Sequence, residues 1–106
     1  TEYYPIIKAY DKDIVIITNQ INNWKDTFWQ WIMAYFPDKG IDVIFVEHAN
    51  DKLKYLAFDD FLIEDYPKFD DYSQIVLIKR IYNRNIENAF MIIDHPKRLQ
   101  KFLAEN

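Results

Sequence analysis

Four runs of apolar, largely β-branched residues constrain the fold of this chain most. They are "IVIIT" at 14–18, "DVIFVE" at 42–47, "DFLIE" at 60–64 and "QIVLIK" at 74–79. Each reads as a strand, and the unbroken run at 14–18 is the pattern of a strand buried on both faces. The segments between and around them have helical spacing. "YYPIIKAY" (3–10) is apolar at 3, 4, 6, 7 and 10, with Pro5 tolerable in a first turn. "NWKDTFWQWIMAYF" (23–36) sets Trp24, Phe28, Trp31, Ile32, Tyr35 and Phe36 on one stripe, with Asn23 as a cap and Pro37 and Gly40 as stops. A last helix is expected from about Pro96, burying Leu99, Phe102 and Leu103. Strands separated by helices predict a single α/β domain over residues 1–106, built on an open parallel sheet of about four strands flanked by helices.

Composition narrows the chemistry. Half the residues are hydrophobic, and 3 Trp, 8 Tyr and 8 Phe supply ample material for a core, which argues against disorder. The absence of cysteine excludes a disulfide scaffold, a thiol nucleophile and thiolate metal sites. Gly40 is the sole glycine, which excludes the glycine-rich loops that cradle phosphates. With 13 basic and 17 acidic residues, the net charge of −4 does not favour direct nucleic-acid binding. No apolar run approaches the ~20 residues of a membrane span, and no secretory leader is visible. A soluble, cytoplasmic protein is expected.

In open parallel sheets, ligands gather at the carboxyl ends of the strands. Thr18 and Asn19 follow the run at 14–18. Glu64 and Asp65 close the run at 60–64, and Lys54 lies ten residues before Glu64. Lys79 and Arg80 follow the fourth run, ahead of "YNRN" at 82–85. A hydroxyl, an ammonium and a carboxylate pair on one rim would suit a phosphoryl group with Mg²⁺. Each residue also has a plainer role. Thr18 would cap a turn, Lys54 would be solvated, and Glu64-Asp65 would serve the turn ahead of Tyr66-Pro67. Lys79, Arg80 and Arg84 around Tyr82 would balance local charge or touch a nucleotide. His48 and His95 lack the spacing of a zinc pair, and His95-Pro96 reads as a helix start.

The order of these features resembles the second, third and fourth motifs of the haloacid dehalogenase (HAD) superfamily of phosphohydrolases, and most nearly its 5'(3')-deoxyribonucleotidase branch. "IVIITN" is similar to that branch's strand ending in Thr-Ser, with Asn19 in the serine's place. "KYLAFDDFLIED" (54–65) is similar to its Lys and "DLLIDD" ending at the same ten-residue spacing. "QIVLIKRIYNRN" (74–85) is similar to the next strand and its Asn-Arg pair, and "WQWIMAYF" falls where the family has an aromatic-rich helix. The resemblance implies a HAD-type, Rossmann-like sheet. It also implies that Thr18, helped by Asn19, would bind the phosphoryl group, that Lys54 would neutralise its charge, and that Asp65 would hold Mg²⁺. Glu64 stands where the family has Asp, and its longer side chain would shift any oxygen it offers the metal.

The family's first motif, a strand followed by Asp-x-Asp-x-Thr with the nucleophile, is not among these residues. "DKD" (11–13) has the spacing of acids but precedes a strand, which puts Asp11 and Asp13 at the opposite rim. The usual central strand is missing with that motif. The implied order is therefore 74–79, 60–64, 14–18, 42–46, unless another chain supplies the strand. Three functions compete. The first is a non-catalytic, HAD-like protein that binds another protein, of the kind a small bacterial or phage inhibitor would be. The second is part of a Mg²⁺-dependent nucleotidase whose nucleophile lies on another segment or chain. The third is an acidic mimic of nucleic acid using Asp59, Asp60, Glu64, Asp65, Asp70 and Asp71. A homodimer is left open.

Overall fold

A computed structural model describes residues 3–10, 14–19 and 42–106, together with Gln30 and Ala34. The protein is α/β, and every described strand pair is parallel. The chain divides into two compact units, Thr1–Lys52 and Leu53–Asn106.

The first unit opens with helix α1, Tyr4–Lys8, with Pro5 in its first turn as expected. Proline costs nothing there, because the first backbone N–H groups of a helix have no internal partner anyway. Strand β1, Val15–Thr18, pairs in parallel with β2, Asp42–Phe45, in the register Val15↔Asp42 to Thr18↔Phe45. The Val46 N–H donates to the Thr18 carbonyl at 2.8 Å, extending that ladder by one bond. Double-sided burial of β1 is not found: Val15 is 50% exposed, and Ile16 and Ile17 are half-buried. Most of the aromatic helix expected over 23–36 lies outside the described residues; Gln30 and Ala34 are helical and exposed. Asp11 and Asp13 also lie outside them. A 3-10 helix, Ala49–Tyr55, carries the chain into the second unit.

That unit holds β3 (Leu62–Glu64), β4 (Ile75–Ile78) and β5 (Met91–Ile93) in the order β3-β4-β5. With a strand on each side, β4 is buried along its whole length. Helix α2, Pro96–Glu105, packs against β5 and buries Leu99 and Phe102, with Leu103 half-buried. His95 caps it as the sequence predicts, its Nδ1 accepting from the Lys97 N–H at 3.1 Å. At the amino ends of the outer strands, Phe61 and Phe90 stack with ring centroids 4.5 Å apart, and Phe102 meets Phe61 edge-on at 5.4 Å. The connection 65–74 contains no helix and is held by aromatic residues instead. Tyr72, buried, donates its hydroxyl to the Tyr66 carbonyl (2.8 Å) and accepts from the Phe69 N–H (3.1 Å).

Two expected neighbour pairs, 14–18 with 42–46 and 60–64 with 74–79, are present and parallel. Among the described residues the four runs lie in two ladders, β1-β2 and β3-β4-β5, and the expected pairing of 60–64 with 14–18 is not found. The second sheet gains β5, a strand of three residues outside the four apolar runs. A parallel sheet needs only a short extended segment on the far side of a fully buried strand, and three apolar residues are too few to stand out by periodicity.

Candidate functional site

The carboxyl rim of the second sheet is organised by one buried side chain. Asn83 ends a short 3-10 helix, Ile81–Asn83, that follows β4, and only 2% of it is exposed. Its Nδ2 donates to the Ile78 carbonyl at 2.9 Å and to the Asp65 carbonyl at 3.0 Å, while its Oδ1 accepts from the Arg80 N–H at 2.7 Å. The amide thereby ties the end of β4 to the chain leaving β3. It also satisfies backbone groups that would otherwise be lost to both water and ladder.

The two acids at the end of β3 are engaged in the same knot. Glu64 turns its Oε2 back onto the chain, where it accepts from the N–H groups of Asp65 (2.9 Å) and Tyr66 (3.1 Å). Asp65 accepts from the Tyr82 hydroxyl at 2.6 Å, and its Oδ2 lies 3.7 Å from Arg80 Nε. That hydrogen bond, and then burial, push the Tyr82 phenol above its ordinary pKa. The Arg80–Asp65 pair is a partly exposed surface contact, worth at most about 1 kcal/mol.

Beyond these contacts, the rim turns cations and apolar side chains to solvent. Lys79, Arg80, Ile81, Tyr82 and Arg84 line an open concavity of about 600 Å³ at the end of β4. The 3-10 helix held by Asn83 presents Ile81, 83% exposed, and Tyr82 there. Lys79 and Arg84 are exposed and make no ion pair with any described residue.

The expected phosphate residues are distributed as follows. Thr18 and Asn19 close β1 in the first unit, Thr18 buried and Asn19 exposed. Lys54 is exposed near the end of the 3-10 helix Ala49–Tyr55 and belongs to the second unit, as do Glu64 and Asp65. Glu64 and Asp65 are thus brought together with Arg80, Tyr82 and Asn83. That grouping depends on the Asn83 knot, which is nearly silent in the sequence. Its only sequence trace is the three-residue spacing of Arg80 and Asn83, the spacing of a residue that caps a short helical turn.

The carboxylate pair fits Mg²⁺ poorly. That ion demands several hard oxygens in near-octahedral array. Here one Glu64 oxygen already accepts two N–H groups, and Asp65 faces a guanidinium, a cation that a dication would repel. Among the described residues, no group of three or more His, Asp or Glu side chains gathers to hold a metal. None of their helices is long and apolar enough to cross a membrane. Compared with models of known families, with curated proteins and with solved structures, the chain gives no match.

Proposed function

We propose that this chain is a non-catalytic, protein-binding regulator, HAD-like in ancestry, whose working surface is the carboxyl rim of β3, β4 and β5. One observation carries the reading. The acids a phosphohydrolase would use on metal, Glu64 and Asp65, are spent on the backbone and on Tyr82 and Arg80. The groups offered to solvent are cations and apolar side chains, which suit recognition of a partner. A HAD-like origin is supported by the two parallel neighbour pairs and by the acid pair closing β3.

Hydrolysis of a panel of nucleoside monophosphates and an aryl phosphate, with and without Mg²⁺, tests it. The chain and Asp65→Asn are expected to give the same background. Turnover that requires both Mg²⁺ and Asp65 would defeat the proposal and return the chain to the nucleotidase class.

A further inference from the structure

The concavity after β4 has a lining that is mostly carbon, set among cations. Phosphate cradles are built otherwise, from glycines and converging backbone N–H groups. An apolar side chain beside a carboxylate fits this lining better: the side chain would lie against Ile81 and Tyr82, and the carboxylate would meet Lys79 or Arg84.

The second unit itself presents such a segment. Phe58 is 96% exposed, and Asp59 and Asp60 follow it. Full exposure of a phenylalanine is unusual, and here the backbone that projects it is fixed. The Ala57 N–H donates to Asp60 Oδ2 at 2.8 Å and the Asp60 N–H to the Ala57 carbonyl at 3.0 Å. Gln74 Nε2 donates to the carbonyls of Ala57 (2.6 Å) and Asp60 (3.0 Å). Asp60 is engaged in the turn, so Asp59 is the carboxylate available to a partner. A turn already held in shape loses little freedom on docking.

The two features lie at opposite ends of one strand. Gln74, which anchors the turn, directly precedes β4, and the concavity begins at Lys79, directly after it. A strand of that length spans more than ~10 Å, so a chain cannot fill its own concavity with its own turn.

We infer that the Phe58-Asp59 turn of one copy docks into the Lys79/Arg80/Ile81/Tyr82/Arg84 concavity of a second copy, joining chains head to tail. Such a contact uses two different surfaces and is heterologous, so it closes into a ring or continues as an open string. This would be one case of the binding role proposed above. Its test involves no phosphate chemistry, so the two readings can fail separately.

Sedimentation of the full chain over a concentration series tests it, with Phe58→Ser, Arg84→Glu and their equimolar mixture. Both positions are exposed, so each variant should keep the circular dichroism and melting curve of the unchanged chain. The unchanged chain should gain mass with concentration, and added salt should oppose this. Each variant alone should need about thirtyfold more protein to associate, the loss typical of an interface anchor. The mixture should pair as a dimer that grows no further, because one intact turn and one intact concavity remain. The inference is overturned if the unchanged chain stays monomeric throughout, including if it instead captures an acidic peptide or a polyphosphate. It is equally overturned if Phe58→Ser associates normally, or if the mixture does not pair.

Discussion

Ile14-Val15-Ile16-Ile17 and Ile75-Val76-Leu77-Ile78 differ at a single position as sequence, yet the structure treats them differently. In β4 all four residues are buried, with Val76 at 0% exposure. In the first run, Val15 is half exposed, and Ile14, Ile16 and Ile17 are half-buried. The difference comes from neighbours. β4 has hydrogen-bonded strands on both sides, whereas β1 pairs with β2 alone in the described ladders. An apolar β-branched run therefore specifies a strand, and the number of strands around it decides how much water it loses. Complete burial of such a side chain is worth about 1.5–3 kcal/mol relative to exposure, so the two runs contribute very differently to stability.

Truncation should expose that difference most strongly. Leu77→Ala should cost about 3–4 kcal/mol of unfolding free energy in urea, and Ile16→Ala less than about 2 kcal/mol, because half-buried sites leave little cavity. Equal losses would mean that flanking strands do not set how much each run contributes. Next in size is Asn83→Ala, which removes three hydrogen bonds tying the end of β4 to the chain leaving β3 and should cost about 2–3 kcal/mol. A loss under about 0.5 kcal/mol would mean that the rim is not held by this amide.

Tyr72 gives a pH signature to the second unit. Burial, the largest influence on it, raises its phenol above the ordinary value near 10. A group whose pKa is raised on folding contributes its stability fully below the unfolded value and loses it as pH rises through the folded one. Urea midpoints should therefore fall above about pH 10, and Tyr72→Phe should flatten that fall while costing about 1 kcal/mol at neutral pH. An alkaline limb unchanged in Tyr72→Phe would assign the titration elsewhere. The smallest effect is expected for Val15→Thr, within about 0.5 kcal/mol by the same denaturation, since its side chain already meets water.

Much of the secondary structure was legible in the sequence because it rests on local signals. Apolar runs gave four strands, Pro5 and His95-Pro96 gave helix starts, and the Leu99/Phe102 spacing gave the buried face of α2. The division into two sheets was not legible, since composition does not say which strand lies beside which. β5 was missed because Met91–Ile93 is too short to show a period. At the rim, position was legible and role was not. Glu64 and Asp65 do end β3, but whether a carboxylate there serves a metal or a turn depends on what reaches it. The partners that do, Tyr82 and Arg80, are brought in by Asn83 after the chain has passed through β4. Phe58 was equally hidden, because an apolar residue beside a strand looks like core until its exposure is known.

Glu64 and Asp65 bond within the fold and leave a cationic rim outside. The most direct measurement is to follow the backbone amide resonances of Glu64, Asp65, Tyr66 and Tyr82 while Mg²⁺ is added to millimolar concentration. No saturable shift at these amides is predicted, with the N–H groups of Asp65 and Tyr66 still bonded to Glu64. A saturable shift centred on them, abolished by Asp65→Asn, would contradict the account and make the pair a metal site.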